Sequence, residues 1–387
     1  MPYLNNVPQN KFSIRLFDIA IVLLTLKMLV SSIPVFDFVF PQKFQNILVI
    51  LGYILIFLHI FEKRKYTLQF IISIILITTL LLYTSIQMQN YVYFTSWFML
   101  IGTIHYDLRR VIKIIFIVSL SIMFISIFIS LLMYIIDYKR EILINIRRNE
   151  TVRAFTFGFI HPNKFTIVLS NLCLMFIWLI KDRLKYYHVT FCLFIQLFFY
   201  FFTQTRTALL VSIVIFALLY IYMFVENLEL RWIGYSFFCI STFLGVLAFQ
   251  FYPSNNKFSI FIDNILTGRI KLAAYARTFF GYTFWGQYVD KEIVWDPIWG
   301  LTSFTFDSFY SFLMSNAGII WLLILSVLFV KLQKYLDNKS LILLLAWSMY
   351  AVTETDLIFP SYGFQFLFLS ILFTNTSTCS TIMLKNN

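Results

Sequence analysis

The sequence predicts an all-α, polytopic integral membrane protein. Three observations carry this: 60% of the 387 residues are hydrophobic, only 12% are charged, and apolar runs of span length recur from end to end. A soluble domain carries roughly 25% charged residues, about twice the share found here. This composition excludes a soluble globular protein, a disordered chain and a nucleic-acid-binding module. A membrane-crossing helix takes about 20 apolar residues, so roughly twelve spans use about 240 residues. Little then remains for a separate soluble domain, and residues 1–387 are predicted to form a single integral membrane domain.

The apolar runs cover about 17–36, 44–61, 66–84, 91–104, 111–136, 162–180, 186–203, 207–225, 232–252, 308–330, 340–356 and 361–375. The fourth is short and the fifth is long. Lys11 and Arg15 precede the first run as in a signal peptide. The run ends Ser31-Ser32-Ile33-Pro34 with no small-residue cleavage site, which predicts an uncleaved first span. Aromatics within the runs, such as Tyr53, Tyr83 and Trp97, read as belt or packing residues. No internal repeat and no Gly/Ser/Pro linker divides the chain. Cys173, Cys192, Cys239 and Cys379 have neither CxxC nor Cys/His spacing, which predicts buried inert thiols. The one long connection, 253–306, falls between spans 9 and 10.

Thirty Lys and Arg against 18 Asp and Glu give a net charge of +12. In a membrane protein basic residues first set topology, because they concentrate in cytoplasmic loops. Loops 62–65, 107–113, 181–185, 226–231 and 331–339 are basic, and alternate with the others. They are therefore placed in the cytoplasm with both termini. The opposite set is basic too. Loop 137–161 holds Lys139, Arg140, Arg147, Arg148 and Arg153. Lys164 and Arg206 lie at the outer ends of spans 6 and 8. Loop 253–306 adds Lys257, Arg269, Lys271, Arg277 and Lys291. Attraction to anionic lipid headgroups explains such cations, and so does an anionic ligand at the outer face. Both readings suit loop 137–161. For Arg206, in a very short turn, the ligand is favoured.

Four constellations are candidates for chemistry. In Gly158-Phe159-Ile160-His161-Pro162-Asn163-Lys164, proline suits the first helical position and pushes the residue before it out of helical angles. Span 6 is therefore predicted to begin at Pro162 with His161 just outside. Its free N–H groups and positive dipole end then favour phosphate, although an ordinary Pro-initiated helix is the plainer account. In Thr203-Gln204-Thr205-Arg206-Thr207, Thr205 is expected to cap the next helix. Arg206 opposes the dipole in its first turn, which makes sense if an anion shares the site. The long loop carries Leu266-Thr267-Gly268-Arg269-Ile270-Lys271 and Arg277, and a short helix is predicted over 269–280. There Arg269 and Arg277 lie about 80° apart, facing either lipid headgroups or a ligand. Trp285, Trp295 and Trp299 follow as interfacial anchors or sugar-stacking faces. Last, Asp307 is expected to N-cap span 10. Glu354 and Asp356 close span 11, with Arg206 or Arg269 as a partner for Glu354. Gly-rich nucleotide loops, zinc spacings and nucleophile elbows do not occur, so any chemistry is expected to need no cofactor or metal.

Taken together these residues resemble the O-antigen polymerase/O-antigen ligase family (Wzy-type polymerases) of bacterial surface polysaccharide synthesis. The pattern is Gly158…His161-Pro162-Asn163, Thr205-Arg206 before a span, Thr267-Gly268-Arg269 in a long outer loop, and Asp307-Ser308-Phe309-Tyr310 opening the next span. It covers roughly 155–320. Family members often have asparagine after the aspartate, where this chain has Ser308. The resemblance implies a glycosyltransferase of capsular or exopolysaccharide biosynthesis in the bacterial cytoplasmic membrane. Its donor would be an oligosaccharide on undecaprenyl diphosphate, and its acceptor the next lipid-linked repeat unit. A chain-length regulator is a possible protein partner. Arg206 and Arg269 are then expected on the diphosphate, with Arg277, Arg153, Asn163 and Lys164 as further substrate contacts. His161 or Glu354 is the candidate base, and Asp307 a third candidate catalytic group. The alternatives are a ligase that moves glycan to another acceptor, and a flippase for lipid-linked sugars.

Overall fold

The computed structural model describes residues 11–38, 40–61, 67–104, 106–136, 142–147, 150–225, 228–251, 256–290, 299 and 304–373. The chain is mostly helical. In order come α1 (Lys11–Val30), α2 (Gln42–Phe61), α3 (Leu68–Met88), α4 (Tyr93–Thr103) and α5 (Leu108–Ile136). A two-stranded hairpin follows, β1 (Ile142–Arg147) and β2 (Glu150–Phe155). Then come α6 (Pro162–Leu179), α7 (Tyr186–Thr203), α8 (Arg206–Phe224), α9 (Ser236–Phe251), α10 (Lys257–Ile265) and α11 (Arg269–Phe280). The last helices are α12 (Phe309–Phe312), α13 (Ile319–Leu332) and α14 (Asn338–Tyr350). Among the described residues seven helical stretches are long and apolar enough to cross a membrane: α2, α3, α5, α6, α7, α8 and the stretch Arg231–Gln250 that ends in α9.

Local chemistry sets many of the ends. Thr67 Oγ1 accepts from the Phe70 N–H at the start of α3, Asn256 caps α10 through the Phe258 N–H, and Asp337 caps α14 through the Ser340 N–H. Each cap satisfies one of the N–H groups a helix start leaves over. Two expectations need correcting. The chain is not all-α, because part of the loop expected over 137–161 is the antiparallel hairpin, with Ile142 opposite Phe155 and Arg147 opposite Glu150. Ile142, Ile144 and Ile146 alternate with other residues, and β-branched residues at a period of two favour a strand. Lys139, Arg140 and Arg148 of that loop, and Lys291 and Trp295 of the next, lie outside the described residues. The run 308–330 is also broken. After α12 the chain makes a π turn over Leu313–Ala317, passes through Gly318 at φ +110° and restarts as α13.

The chain divides into two compact units. The first holds residues 1–65, 95–228 and 359–370. In it α1 packs on α2 and α5, and α6 packs on α5 and α7. α6 is its centre, with 78% of its residues buried against 22% for α7. At one end, loops 107–113 and 181–185 and the start of α1 converge: Arg109 pairs with Asp182 at 3.3 Å, and Asp18 takes Arg110 and the Tyr106 hydroxyl. These segments were expected on one membrane side, and within this unit they share an end. At the other end, the Ile160 N–H bonds the Ser32 carbonyl at 2.9 Å, joining the start of α6 to the end of α1. The buried Asn171 of α6 holds an irregular turn through the Pro360 carbonyl and the Phe364 N–H.

The second unit holds residues 66–94, 229–358 and 371–387. Its core is the fully buried Trp347 of α14, ringed by Phe237, Phe309 and Phe329 at 5.1–5.5 Å. Its indole N–H donates to the Leu357 carbonyl at 2.9 Å, so burying the polar edge leaves no donor unmade. The broken span is closed by another segment of the same unit. The Thr283 and Gln287 N–H groups bond the Met314 and Asn316 carbonyls, and the Ile319 N–H bonds the Thr283 carbonyl. Gln287 Nε2 takes the Phe280 and Ser315 carbonyls, and Asn316 Nδ2 takes the Gln287 carbonyl. Backbone groups freed by a break have to be re-satisfied within the protein when no water is near. Gly318 is required here, since a Cβ would lie 2.5 Å from the Phe284 carbonyl oxygen.

Candidate functional site

In the first unit the site begins where β2 runs into α6. Phe157 and Gly158 have positive φ, and a Cβ on Gly158 would lie 2.6 Å from Ser126 Oγ. Only glycine fits that turn without displacing α5. Ser126 Oγ also donates to the Phe157 carbonyl at 2.7 Å, and the Phe157 ring packs on Phe165 and Phe199. The turn delivers His161 as N-cap of α6 with Pro162 at its first position, as the sequence predicts.

His161 caps with its ring. Nδ1 accepts from the Asn163 N–H at 3.1 Å. An accepting nitrogen carries no proton, so the proton of the neutral imidazole sits on Nε2. His161 in this arrangement donates from Nε2. Asn163 is half-buried beside it, and Lys164 lies 5.7 Å over the Tyr362 ring. The Tyr362 hydroxyl in turn reaches Ser32 Oγ at 2.5 Å. Arg153 is exposed on β2, opposite Ile144. Arg206 is the first residue of α8 and is exposed. Thr205 does not cap that helix: its hydroxyl is 3.1 Å from that of Thr203, with no bond to the first turn. Arg206 forms no ion pair among the described residues, so its charge stands against the helix dipole uncompensated.

The second unit holds a different kind of arginine. The helix predicted over 269–280 is α11, and its N-terminus is built by Asp263 of α10. That carboxylate accepts from the Lys271 N–H at 2.9 Å, and the Asp263 carbonyl accepts from Gly268. Thr267 at φ +56° and Gly268 at φ +91° make the left-handed turn between the helices. Burial raises the Asp263 carboxyl above its ordinary value, opposed by the N–H bonds of Lys271 and Ile270 and by the Lys271 and Arg269 charges. The carboxylate thus occupies the N–H groups that a bare helix start would offer an anion.

The guanidinium that follows is not so occupied. Arg269 is 8% exposed. One Nη donates to the Thr267 hydroxyl and carbonyl, and the other lies 4.0 Å from an Asp307 carboxylate oxygen. That separation allows attraction but is too long for a hydrogen bond. Nε has no hydrogen-bond partner among the described residues. Arg269 lines a pocket with Ser308, Ser311 and Tyr282 as polar neighbours and Leu244, Ala248, Met314 and Val352 as apolar ones. A buried guanidinium with an unused donor is costly to maintain. Its planar fork suits the oxygens of a phosphate.

Three expectations change on this geometry. Asp307 is not the cap of the broken span. Ser308 holds that position, and its hydroxyl donates to the Ala351 carbonyl at 3.2 Å. Asp307 instead faces Arg269 and accepts from Thr305 Oγ1 at 2.9 Å. Among the described residues the ion pair of Arg269 is with Asp307. Glu354 is 9% exposed just past α14, its N–H on the Tyr350 carbonyl. Third, Trp299 is buried against Tyr275 at 5.4 Å, so it offers no face to a sugar, whereas Trp285 is exposed.

Arg277 does not share the pocket. Its guanidinium stacks 4.7 Å over Phe249 of α9. Two features escaped the sequence analysis. Ser308 appears there only as a motif residue after Asp307, and Ser311 only as part of a span. Gln287, the clamp on the broken helix, carries no motif at all.

The fold defines a helical membrane protein carrying a buried, under-bonded arginine beside a pocket. No family model matches the chain, and no curated protein or solved structure matches it.

Proposed function

We propose that this protein polymerises oligosaccharide repeat units carried on a lipid diphosphate, at the outer face of the bacterial cytoplasmic membrane. The observation that carries the reading is Arg269: buried, short of hydrogen bonds and aimed at a pocket with an apolar wall. An isoprenoid diphosphate supplies what that pocket lacks, anionic oxygens on an apolar tail. The resemblance of the residues between 155 and 320 to the O-antigen polymerase/ligase pattern supports the same substrate. The finer topology belongs to this proposal: about twelve spans, both termini in the cytoplasm, and 253–306 outside.

In the reaction a hydroxyl of the acceptor sugar attacks the anomeric carbon of the donor. The bond from that carbon to the diphosphate oxygen breaks, and lipid diphosphate leaves with the bonding pair. Arg269 stabilises the charge that develops on it. A base takes the hydroxyl proton. Glu354 suits that task better than His161, whose Nδ1 lone pair is committed to the Asn163 N–H.

The test is deletion of the gene in its host, with lipid-linked and surface glycans separated by size. Single repeat units without long chains are expected. Long chains stranded on the lipid carrier would mean a ligase. Repeat units trapped on the cytoplasmic side would mean a flippase, and the catalytic role of Arg269 would fall.

A further inference from the structure

α10 is amphipathic the wrong way round for a helix lying on a protein in water. Phe258, Phe261 and Ile265 fall within about 60° of one another around the helix, and they are 53%, 61% and 43% exposed. The polar Ser259 and Asp263 lie on the other side. Ser259 is fully buried, and Asp263 is turned to the N-terminus of α11. Soluble proteins place these faces in the opposite sense. The inversion is stable only where the medium outside is itself apolar.

The position of α10 says which medium. Its N-cap Asn256 lies 3.5 Å from the side chain of Gln250, the last residue of the apolar stretch Arg231–Gln250. α10 packs on both α9 and α11, so it lies at the depth where that span leaves the hydrocarbon. Lys257 at its start is exposed. Trp285 and Tyr288, farther along the same unit, are 48% and 57% exposed, and these are the residue types that collect at headgroup level. A lysine beside a stripe of phenylalanine and isoleucine is the pattern of a helix lying in the plane of the interface.

We propose that α10 is an interfacial helix, its Phe258/Phe261/Ile265 stripe sunk among the lipid chains. Its partner is the bilayer surface itself. Because Asp263 ties α10 to both Gly268 and Lys271, the depth of α10 fixes the depth of Arg269. The Arg269 pocket then stands level with the phosphates of the headgroups, where a lipid-borne anion arrives without leaving the membrane. The depth claim follows from the spans and α10 alone. Only its use by a glycan carrier rests on the proposed function.

The experiment places an environment-sensitive nitrobenzoxadiazole label on Phe258→Cys and, separately, Phe261→Cys, with Cys239 and Cys379 replaced by serine. The protein sits in nanodiscs with or without lipids brominated on the acyl chain. A label on Tyr335→Cys, in the exposed turn before α14, is the aqueous control. Both α10 labels are expected to emit to the blue of the control and to be quenched more by bromine near the headgroup than by bromine deep in the chain. Water-like emission without quenching would overturn the proposal. So would blue emission that no brominated lipid quenches, since a protein surface would then cover the stripe. Deep quenching alone would place α10 in the hydrocarbon and overturn it too. None of these readings depends on glycan transfer, so they stand or fall apart from the proposed reaction.

Discussion

Replacing Arg269 by glutamine separates a ligand-binding arginine from a structural one. At 4.0 Å from Asp307, and with an effective dielectric of about 20, the gross attraction is ~4 kcal/mol. Asp307 is a third exposed, which lowers that figure. Against it stand several kcal/mol for desolvating the guanidinium and about 1–3 kcal/mol for the unmade bond at Nε. These terms nearly cancel, so Arg269→Gln should leave the unfolding midpoint almost unchanged. The reaction should respond very differently. Losing one preorganised donor to a developing negative charge costs about 10²–10³ in turnover, or ~2.7–4 kcal/mol. Arg269→Lys keeps the charge and loses the fork, and should fall between glutamine and wild type.

The assay is chain growth from purified lipid-linked repeat units in nanodiscs, run beside thermal unfolding followed by tryptophan fluorescence. Wild-type turnover in Arg269→Gln would refute the anion role. A fall in turnover matched by a collapse of stability would refute it too, since the arginine would then be structural. Asp307→Asn makes the complementary test. It removes the carboxylate charge that faces the second Nη of Arg269 at 4.0 Å, so inorganic pyrophosphate should bind more tightly while the protein becomes less stable.

Arg206→Ala should abolish product with normal expression and membrane insertion, because the side chain is exposed and forms no ion pair among the described residues; unchanged synthesis removes it from the site. Gly318→Ala should destabilise by at least the ~1–3 kcal/mol of a strained backbone, since its Cβ meets backbone atoms that cannot yield, and wild-type thermal stability would deny the helix break. Gln287→Ala should lower stability by about 1–3 kcal/mol, read as a fall in the unfolding midpoint, by stranding the Phe280 and Ser315 carbonyls. Asp263 has a folded pKa raised by burial above its ordinary 3.8, so the native state holds the proton longer than the unfolded chain. Stability should therefore fall as pH rises from the ordinary value through the raised one. Asp263→Asn keeps an oxygen for the Lys271 N–H and should abolish that slope in amide exchange at 268–271.

What was legible in the sequence followed from local rules. Pro162 after His161 marked the start of α6, because proline fixes its own φ and restricts the residue before it whatever surrounds them. The hairpin was missed because loop 137–161 was read for its basic residues, and three alternating isoleucines are too short a pattern to stand out as a strand. The break at Gly318 was missed for a related reason. Hydropathy reads 308–330 as one unbroken run, and the break depends on a remote segment, 283–287, arriving to satisfy the opened carbonyls. Caps were misassigned where a neighbour competed for the side chain. Thr205 meets the Thr203 hydroxyl and Asp307 meets Arg269, and neither meeting is visible in sequence order.

The two arginines show what a shared local rule leaves undecided. Arg206 and Arg269 each occupy the first position of a helix, where the dipole opposes a cation, although the sequence raises that conflict only for Arg206. In the folded chain the conflict has different weight. Arg206 is exposed, so solvent screens its charge and the dipole penalty is at most a few tenths of a kcal/mol to about 1 kcal/mol. Arg269 is buried, and water is replaced by Thr267, a distant Asp307 and an unused Nε. The same spacing therefore yields a weak inference at one site and a strong one at the other. The variable that separates them, burial, comes from packing remote in sequence: Leu244 and Ala248 of α9, Ser308, Ser311 and Met314 of the broken span, and Val352 after α14 line the pocket with Arg269. If one of the two holds a diphosphate through the transition state, that physical difference selects Arg269.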